Sequence, residues 1–158
     1  ESGITWHYVN AGIDEGSIII QKRCGIGPDM KAYELAEQLM KLACEAFVEC
    51  FEDVVKARAA TRPQPLDGMR RMYRSYEVPG DGFFEMTQEP ESIYRLLRSM
   101  DYGKSGIFPP AQTVMDGKKA VILRYRKISG DLPERKEGFC YLPMGENTFL
   151  KLKYANVD

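Results

Sequence analysis

Two short apolar runs near the start of the chain are separated by a glycine-flanked loop. The runs are Ile4 to Val9, rich in β-branched and aromatic residues, and Ile18 to Ile20, which is continuously apolar. Both are typical of β-strands, and the second predicts a strand buried on both faces. Gly12 and Gly16 let the chain turn sharply and let a ligand approach the peptide groups. We therefore predict a strand-loop-strand unit that holds one carboxylate, Asp14, in a fixed position.

A long amphipathic segment follows, from Met30 to Ala57. Asp29 is placed to cap its first turn, and a helix of this length would extend for about 40 Å. We expect it to cover one face of a sheet and its methionine and phenylalanine side chains to lie in the core. The apolar positions recur at spacings of three and four residues: Tyr33, Ala36, Leu39, Met40, Ala43, Phe47, Phe51, Val54 and Val55.

The rest of the chain predicts a linker, a second helix and a β-rich end. Residues 58–90 are rich in proline and glycine, which favours a loop with at most short strands. Pro90 to Met100 has a proline suited to a first helical turn and one apolar stripe. Asp116-Gly117 between two apolar runs is typical of a β-hairpin. The predicted strands are Thr113 to Met115, Ala120 to Lys127, Gly138 to Leu142 and Thr148 to Tyr154.

The composition predicts a folded protein with one main core. The chain has 158 residues, of which 44% are hydrophobic and 28% charged, with a formal net charge of −1. No apolar run approaches the roughly 20 residues of a membrane span, and the first residues do not resemble a signal peptide, so we predict a cytoplasmic protein. The four cysteines lack metal-ligand spacing, and we expect buried, reduced thiols and no metal.

Charge is distributed unevenly along the chain. Residues 104–158 carry 10 basic and 6 acidic side chains, whereas residues 1–103 carry 12 and 17. A basic end could bind a polyanion, but a solvated β surface with cations spread along its strands is the simpler interpretation and the one we favour. In the same way, Arg70, Arg71 and Arg74 could bind a phosphate, although an exposed charged loop is more common.

The first strand-loop-strand unit also carries a family resemblance. The run GITWHYVNAGIDEGSIIIQK, preceded by Glu1-Ser2, resembles the signature of the formyltetrahydrofolate-dependent formyltransferases. In that family the aspartate of this loop is one of three catalytic residues, and it corresponds to Asp14. The other two are an asparagine and a histidine in an N-x-H motif. In the family pattern this motif lies upstream of the position that corresponds to Glu1. His7 belongs to the strand and does not match that motif, so we interpret it as a structural histidine.

The resemblance implies both a catalytic role and a cofactor site. Formyl transfer requires a deprotonated amine and stabilisation of a tetrahedral oxyanion, and a carboxylate with a pKa raised by apolar surroundings would suit the first task. Without the resemblance, a turn aspartate bonded to its own loop would be the simpler interpretation of Asp14. By the same resemblance the backbone of Val9, Asn10, Ala11, Gly12 and Ile13 would line the pterin pocket for formyltetrahydrofolate.

The implied fold is α/β, the C-terminal part of a Rossmann-like formyltransferase domain followed by a small β-rich appendage. We expect residues 1–60 to form the end of the catalytic domain, 61–103 a linker and helix, and 104–158 the appendage. The segment PESIYRLLRSMDYG resembles the one that follows the family's core domain, with Arg98 in a structural position.

The implied function is formyl transfer, in one-carbon metabolism, to a primary amine of an amino sugar or an aminoacyl group. The alternative is a non-catalytic module of the same fold that binds folate or a partner. Because the N-x-H motif lies upstream, we expect this chain alone to be inactive, and either to self-associate or to bind the missing N-terminal segment through an exposed strand edge. We expect a folate and an amine acceptor as partners, and neither a membrane nor a nucleic acid.

Overall fold

The computed structural model describes residues 1–65, 73–74, 76–134 and 136–157. It divides into two compact units, Glu1–Tyr73 and Arg74–Asp158. The predicted division at residues 60 and 103 stays a prediction. Arg70 and Arg71, two of the three arginines considered for phosphate binding, lie outside the described residues. In the described part of the chain, no helix is long and apolar enough to cross a bilayer.

The first unit is an antiparallel hairpin covered by a long helix. Strand β1 (Ser2–His7) pairs with β2 (Ile18–Cys24), with an irregularity between Trp6 and His7. Helix α1 (Ala32–Val55) contacts both strands, as predicted, and the Trp6 indole N–H donates to the Ala43 carbonyl over 2.9 Å. The strand limits differ from the prediction, because β1 ends at His7 and leaves Val9 in the loop, whereas β2 continues to Cys24.

The start of α1 and its apolar stripe also differ from the predictions. The N-cap is Lys31, whose backbone N–H donates to the Glu34 carboxylate over 2.8 Å, so the assignment of Asp29 was wrong. Ala46 is the buried residue of the helix, while Met40 and Val55 of the predicted stripe are 67% and 66% exposed. The stripe is therefore largely a surface of this chain, not its core. The prediction that β2 is buried on both faces was also wrong. Ile18 is buried, whereas the next two isoleucines are half-buried.

The second unit is a four-stranded antiparallel sheet with a helix. Its strands lie in the order β3 (Gln112–Met115), β4 (Lys118–Ser129), β6 (Thr148–Asn156) and β5 (Phe139–Gly145). Asp116 and Gly117 join β3 to β4 with φ angles of 50° and 75°, the left-handed pair that a two-residue hairpin needs. Helix α2 spans Pro90–Met100 with the proline in its first turn. The predicted elements of this unit are confirmed.

One face of this sheet forms the core. Ile93 and Leu97 of α2 are buried together with Leu150 and Leu152 of β6, and Phe84 belongs to the same cluster. Burying an aliphatic side chain of this size contributes about 1.5–3 kcal/mol, so this cluster holds helix and sheet together. The alternate residues of β6 point to the other face of the sheet.

The cysteines are all free but are not buried. Cys44 is exposed, and Cys24, Cys50 and Cys140 are half-buried. The expected reduced state agrees with this, whereas the expected burial was wrong. Cys44 and Cys50 lie on α1, most of whose surface is solvent-exposed in this chain, and this accounts for their accessibility.

Candidate functional site

The loop between β1 and β2, residues 8–17, is closed at its base. The Tyr8 backbone N–H donates to the Ser17 carbonyl over 3.0 Å. Inside the loop the Gly12 N–H donates to the Asn10 side-chain oxygen over 3.1 Å, which forms an Asx turn. The Gln64 amide donates to the Gly16 carbonyl over 2.8 Å. These bonds give the loop a defined shape although most of its residues are exposed.

Gly16 is required by close packing at the loop base. A Cβ atom there would overlap the carbonyl oxygen of Tyr8. Because the Tyr8 backbone is held by its bond to the Ser17 carbonyl and by the His7 ring, that oxygen cannot move aside cheaply. Glycine at this position therefore allows the loop to return to β2 directly after Asp14 and Glu15.

The structure brings Asp14 and His7 together. Asp14 has a φ of 52°, a left-handed conformation that aspartate tolerates better than most residues, and its Oδ1 lies 3.7 Å from His7 Nε2. The other ring nitrogen, Nδ1, lies 2.8 Å from the Tyr8 carbonyl. Since a carbonyl only accepts, Nδ1 carries a proton in this bond and orients the ring. Nε2 is then the nitrogen that faces the carboxylate.

The electrostatic setting of Asp14 differs from the expected one. Its side chain is 77% exposed and that of His7 is 25% exposed, so the described residues of this chain do not form apolar surroundings for the carboxylate. The five predicted pterin-binding residues lie in the same exposed loop, and Val9 is 91% exposed. Their peptide groups are accessible donors and acceptors of the type a planar heterocycle binds, and their contact with a pterin stays a prediction.

His7 is the residue whose relation to the site the sequence did not reveal. Its position on β1 favoured a structural role, and the bond to the Tyr8 carbonyl agrees with that. The proximity to Asp14 arises because the strand pairing is irregular between Trp6 and His7 and the loop folds back. The only sequence signal for this proximity was that His7 and Asp14 are seven positions apart with a predicted turn between them.

A third segment supports the hairpin from the side of β2. Arg62 exchanges two backbone hydrogen bonds with Ile18, of 2.8 Å and 3.0 Å. Its guanidinium donates to Gln21 over 2.6 Å, and Gln21 donates to Thr5 over 3.0 Å. The region after α1 was predicted as a loop with at most short strands. It fixes Ile18, the first residue of β2, next to the candidate site.

Known proteins match the chain in sequence and in fold. The sequence model of the formyl transferase family matches residues 1–51. Methionyl-tRNA formyltransferases of Roseiflexus sp. and Geobacter metallireducens are 29% and 31% identical over 129 residues, which is 82% of this chain and 38% of each relative. The chain therefore spans less than half the length of these relatives.

Solved structures share the fold. The N-formyltransferase from Helicobacter canadensis, in complex with folinic acid and dTDP-3-aminofucose, superposes with a TM-score of 0.68 at 13% identity, covering 97% of this chain and 55% of that one. The methionyl-tRNA formyltransferase from Clostridium thermocellum gives 0.56 at 15% identity, with 99% and 56% covered. The predicted α/β fold is confirmed. Together with the sequence match, these results relate the chain to the formyltransferase family, as the resemblance implied.

Proposed function

We propose that the protein carrying this chain transfers a formyl group from formyltetrahydrofolate to a primary amine. The observation that carries this proposal is the family match over residues 1–51, because that range contains the complete loop with Asp14 and both of its glycines. The folate donor has support from the Helicobacter canadensis structure, which contains folinic acid. The activity belongs to the whole protein, and we expect no turnover from this chain alone.

In the proposed mechanism Asp14 accepts the proton that the amine loses. The amine nitrogen attacks the formyl carbon, the carbonyl oxygen becomes an oxyanion, and the bond between the formyl carbon and the folate nitrogen then breaks. The proton passes from the amine to the carboxylate, directly or through one water, and then to the departing folate nitrogen. His7 lies beside the carboxylate with Nε2 facing it, and the turn that Asn10 forms with Gly12 presents the loop backbone to the pterin.

Two acceptor classes are compatible with this chemistry. The sequence relatives named above are methionyl-tRNA formyltransferases, which favours an aminoacyl group, whereas the Helicobacter canadensis neighbour was solved with an amino sugar nucleotide. A competition assay separates them: the protein, formyltetrahydrofolate and both acceptors are incubated together, and the formylated product is identified by mass spectrometry. We retain the prediction that initiator tRNA is not bound tightly, and submicromolar, salt-sensitive binding in a gel-shift assay would overturn it.

The alternative is a module of the same fold that binds folate or a partner without catalysis. The exposure of Asp14 favours it, because a proton acceptor usually works in a site closed to water. Calorimetry with folinic acid and a turnover assay on the same sample decide between the two. Binding together with turnover supports the enzyme, and binding without turnover in the whole protein supports the module.

A further inference from the structure

The face of the second unit's sheet opposite its core carries four cations in a compact arrangement. Arg124 and Arg126 lie on β4, and Lys151 and Lys153 lie on the neighbouring strand β6. Arg124 is directly opposite Lys153, and Arg126 is directly opposite Lys151. We call these four side chains the cation quartet. The sequence had suggested cations spread along the strands, but the register gathers these four at one place.

This arrangement opposes the stability of the sheet. Like charges directly across an antiparallel pair are destabilising, whereas opposite charges or apolar pairs in the same places contribute roughly 0.2–1 kcal/mol. Among the residues that the structure describes, no carboxylate forms an ion pair with any member of the quartet. Two repulsive pairs without neutralisation indicate that this surface is suited to an external anion.

The quartet borders a concave site. A cavity of about 380 Å³ is lined by Arg124, Tyr125, Arg126, Phe139, Lys151 and Lys153. This volume lies within the range of small-ligand pockets, roughly 300–1,000 Å³. The concavity distinguishes the quartet from lysines on a flat surface.

Aromatic rings fix one of the cations. The Lys151 ammonium lies 4.6 Å from the centroid of the Phe139 ring and 5.7 Å from that of Tyr141. Such contacts hold a cation by the quadrupole of the ring. Lys151 is thereby positioned before any ligand arrives, and less of its side-chain freedom is lost on binding.

The dimensions of the quartet define the ligand class. Adjacent strands are about 5 Å apart and alternate residues of one strand about 7 Å apart, so four positive charges surround an area that fits two linked phosphates. A nucleic-acid strand would require cations repeated along an extended track. We propose that this face of the second unit's sheet binds a diphosphate group, as present in a nucleoside diphosphate or in free pyrophosphate.

The experiment is calorimetric titration of the protein with UDP and with pyrophosphate. We expect both to bind, and Arg124→Gln/Arg126→Gln to weaken both by about tenfold or more, as for loss of two charge-assisted hydrogen bonds. Tighter binding of UDP identifies a nucleotide as the source, and equal binding identifies the diphosphate alone. The control Lys118→Gln/Lys119→Gln removes the same charge from the start of β4, outside the quartet, and is expected to change binding less than twofold, within about 0.4 kcal/mol.

Folding of the variants is checked by thermal melting without ligand. Arg124→Gln is expected to leave the melting temperature unchanged or to raise it, because it removes one repulsive pair. Absence of binding of both ligands to the unmodified protein at millimolar concentration would overturn the proposal. Equal weakening of ligand binding by the two double variants would also overturn it. A third contrary result is that a single-stranded RNA binds more tightly than UDP and that both double variants weaken the RNA binding equally.

Discussion

His7 Nε2 faces Asp14 Oδ1 at 3.7 Å across the base of the exposed loop. If His7 positions the carboxylate, the two residues act as a unit and their substitutions are not additive. We expect His7→Asn to lower kcat while leaving the KM for the folate nearly unchanged, and to have almost no further effect in a protein that already carries Asp14→Asn. Turnover of the two single variants and the double variant of the whole protein measures the coupling. Fully additive losses would show that His7 is only structural.

Gly16→Ala tests the close packing at the base of the loop. The added methyl would overlap the Tyr8 carbonyl oxygen, and forced overpacking costs about 1–3 kcal/mol. We expect a lower free energy of unfolding by this amount in urea denaturation. Gly25→Ala is the matched control, since a Cβ there meets open space and the same substitution should be neutral or slightly stabilising. Equal effects of the two variants would contradict the packing argument.

Tyr125 links the sheet of the second unit to the end of α2. Its hydroxyl donates to Asp101 over 2.7 Å, and burial, followed by this bond, raises the pKa of the phenol well above its ordinary value. The neutral phenol therefore contributes to the free energy of unfolding. This contribution is fully present below pH about 10 and is lost as the pH rises further, because the unfolded chain releases the phenol proton first.

Tyr125→Phe should therefore cost about 1 kcal/mol at neutral pH and flatten the loss of stability above pH about 10. Urea denaturation at a series of pH values measures both effects. Tyr141→Phe, on the opposite face of the sheet, serves as the control and should retain the alkaline loss. A Tyr125→Phe protein with the unmodified pH dependence would show that other groups control alkaline unfolding.

The exposed apolar side of α1 is expected to associate with another protein surface. Met40, Val48 and Val55 are largely exposed there, and exposed apolar side chains grouped on one helix are typical of an interface. We propose that copies of this chain associate through this side of α1. Met40→Gln/Val48→Gln should lower the mass measured by light scattering without lowering the melting temperature, whereas Leu132→Gln, at an exposed position of the second unit, should not. A monomeric unmodified chain would refute this proposal.

Local patterns predicted most of the elements because they depend on neighbours in sequence. The Asp116-Gly117 turn and the helix beginning at Pro90 need only near neighbours, and both lie where predicted. The limits of β1 and the cap of α1 were wrong, since the loop closure by Ser17 and the bond from Lys31 to Glu34 decide them. The position of Asp14 in its loop followed from its glycines. Its proximity to His7 and the gathering of the cation quartet depend on strand register, which composition does not determine.

The exposure of α1 has a different origin. An apolar stripe predicts burial but not the surface that buries it. Phe47 contacts Trp6 of β1, with ring centroids 5.1 Å apart, whereas Met40 and Val55 of the same stripe are 67% and 66% exposed. The sequence therefore indicated that the helix has an apolar partner, and the hairpin of this chain covers only part of the stripe.

The proton-accepting role of Asp14 is tested most directly by Asp14→Asn in the whole protein. Asparagine keeps the size and tolerates the left-handed backbone, so the loop should persist while the carboxylate is lost. We expect kcat for formyl transfer to fall by a factor on the order of 100 or more, with unchanged folate affinity. The matched control is Asp116→Asn, another aspartate with a φ near 50°, which should retain full activity. Turnover of Asp14→Asn within a few fold of the unmodified protein would contradict the account.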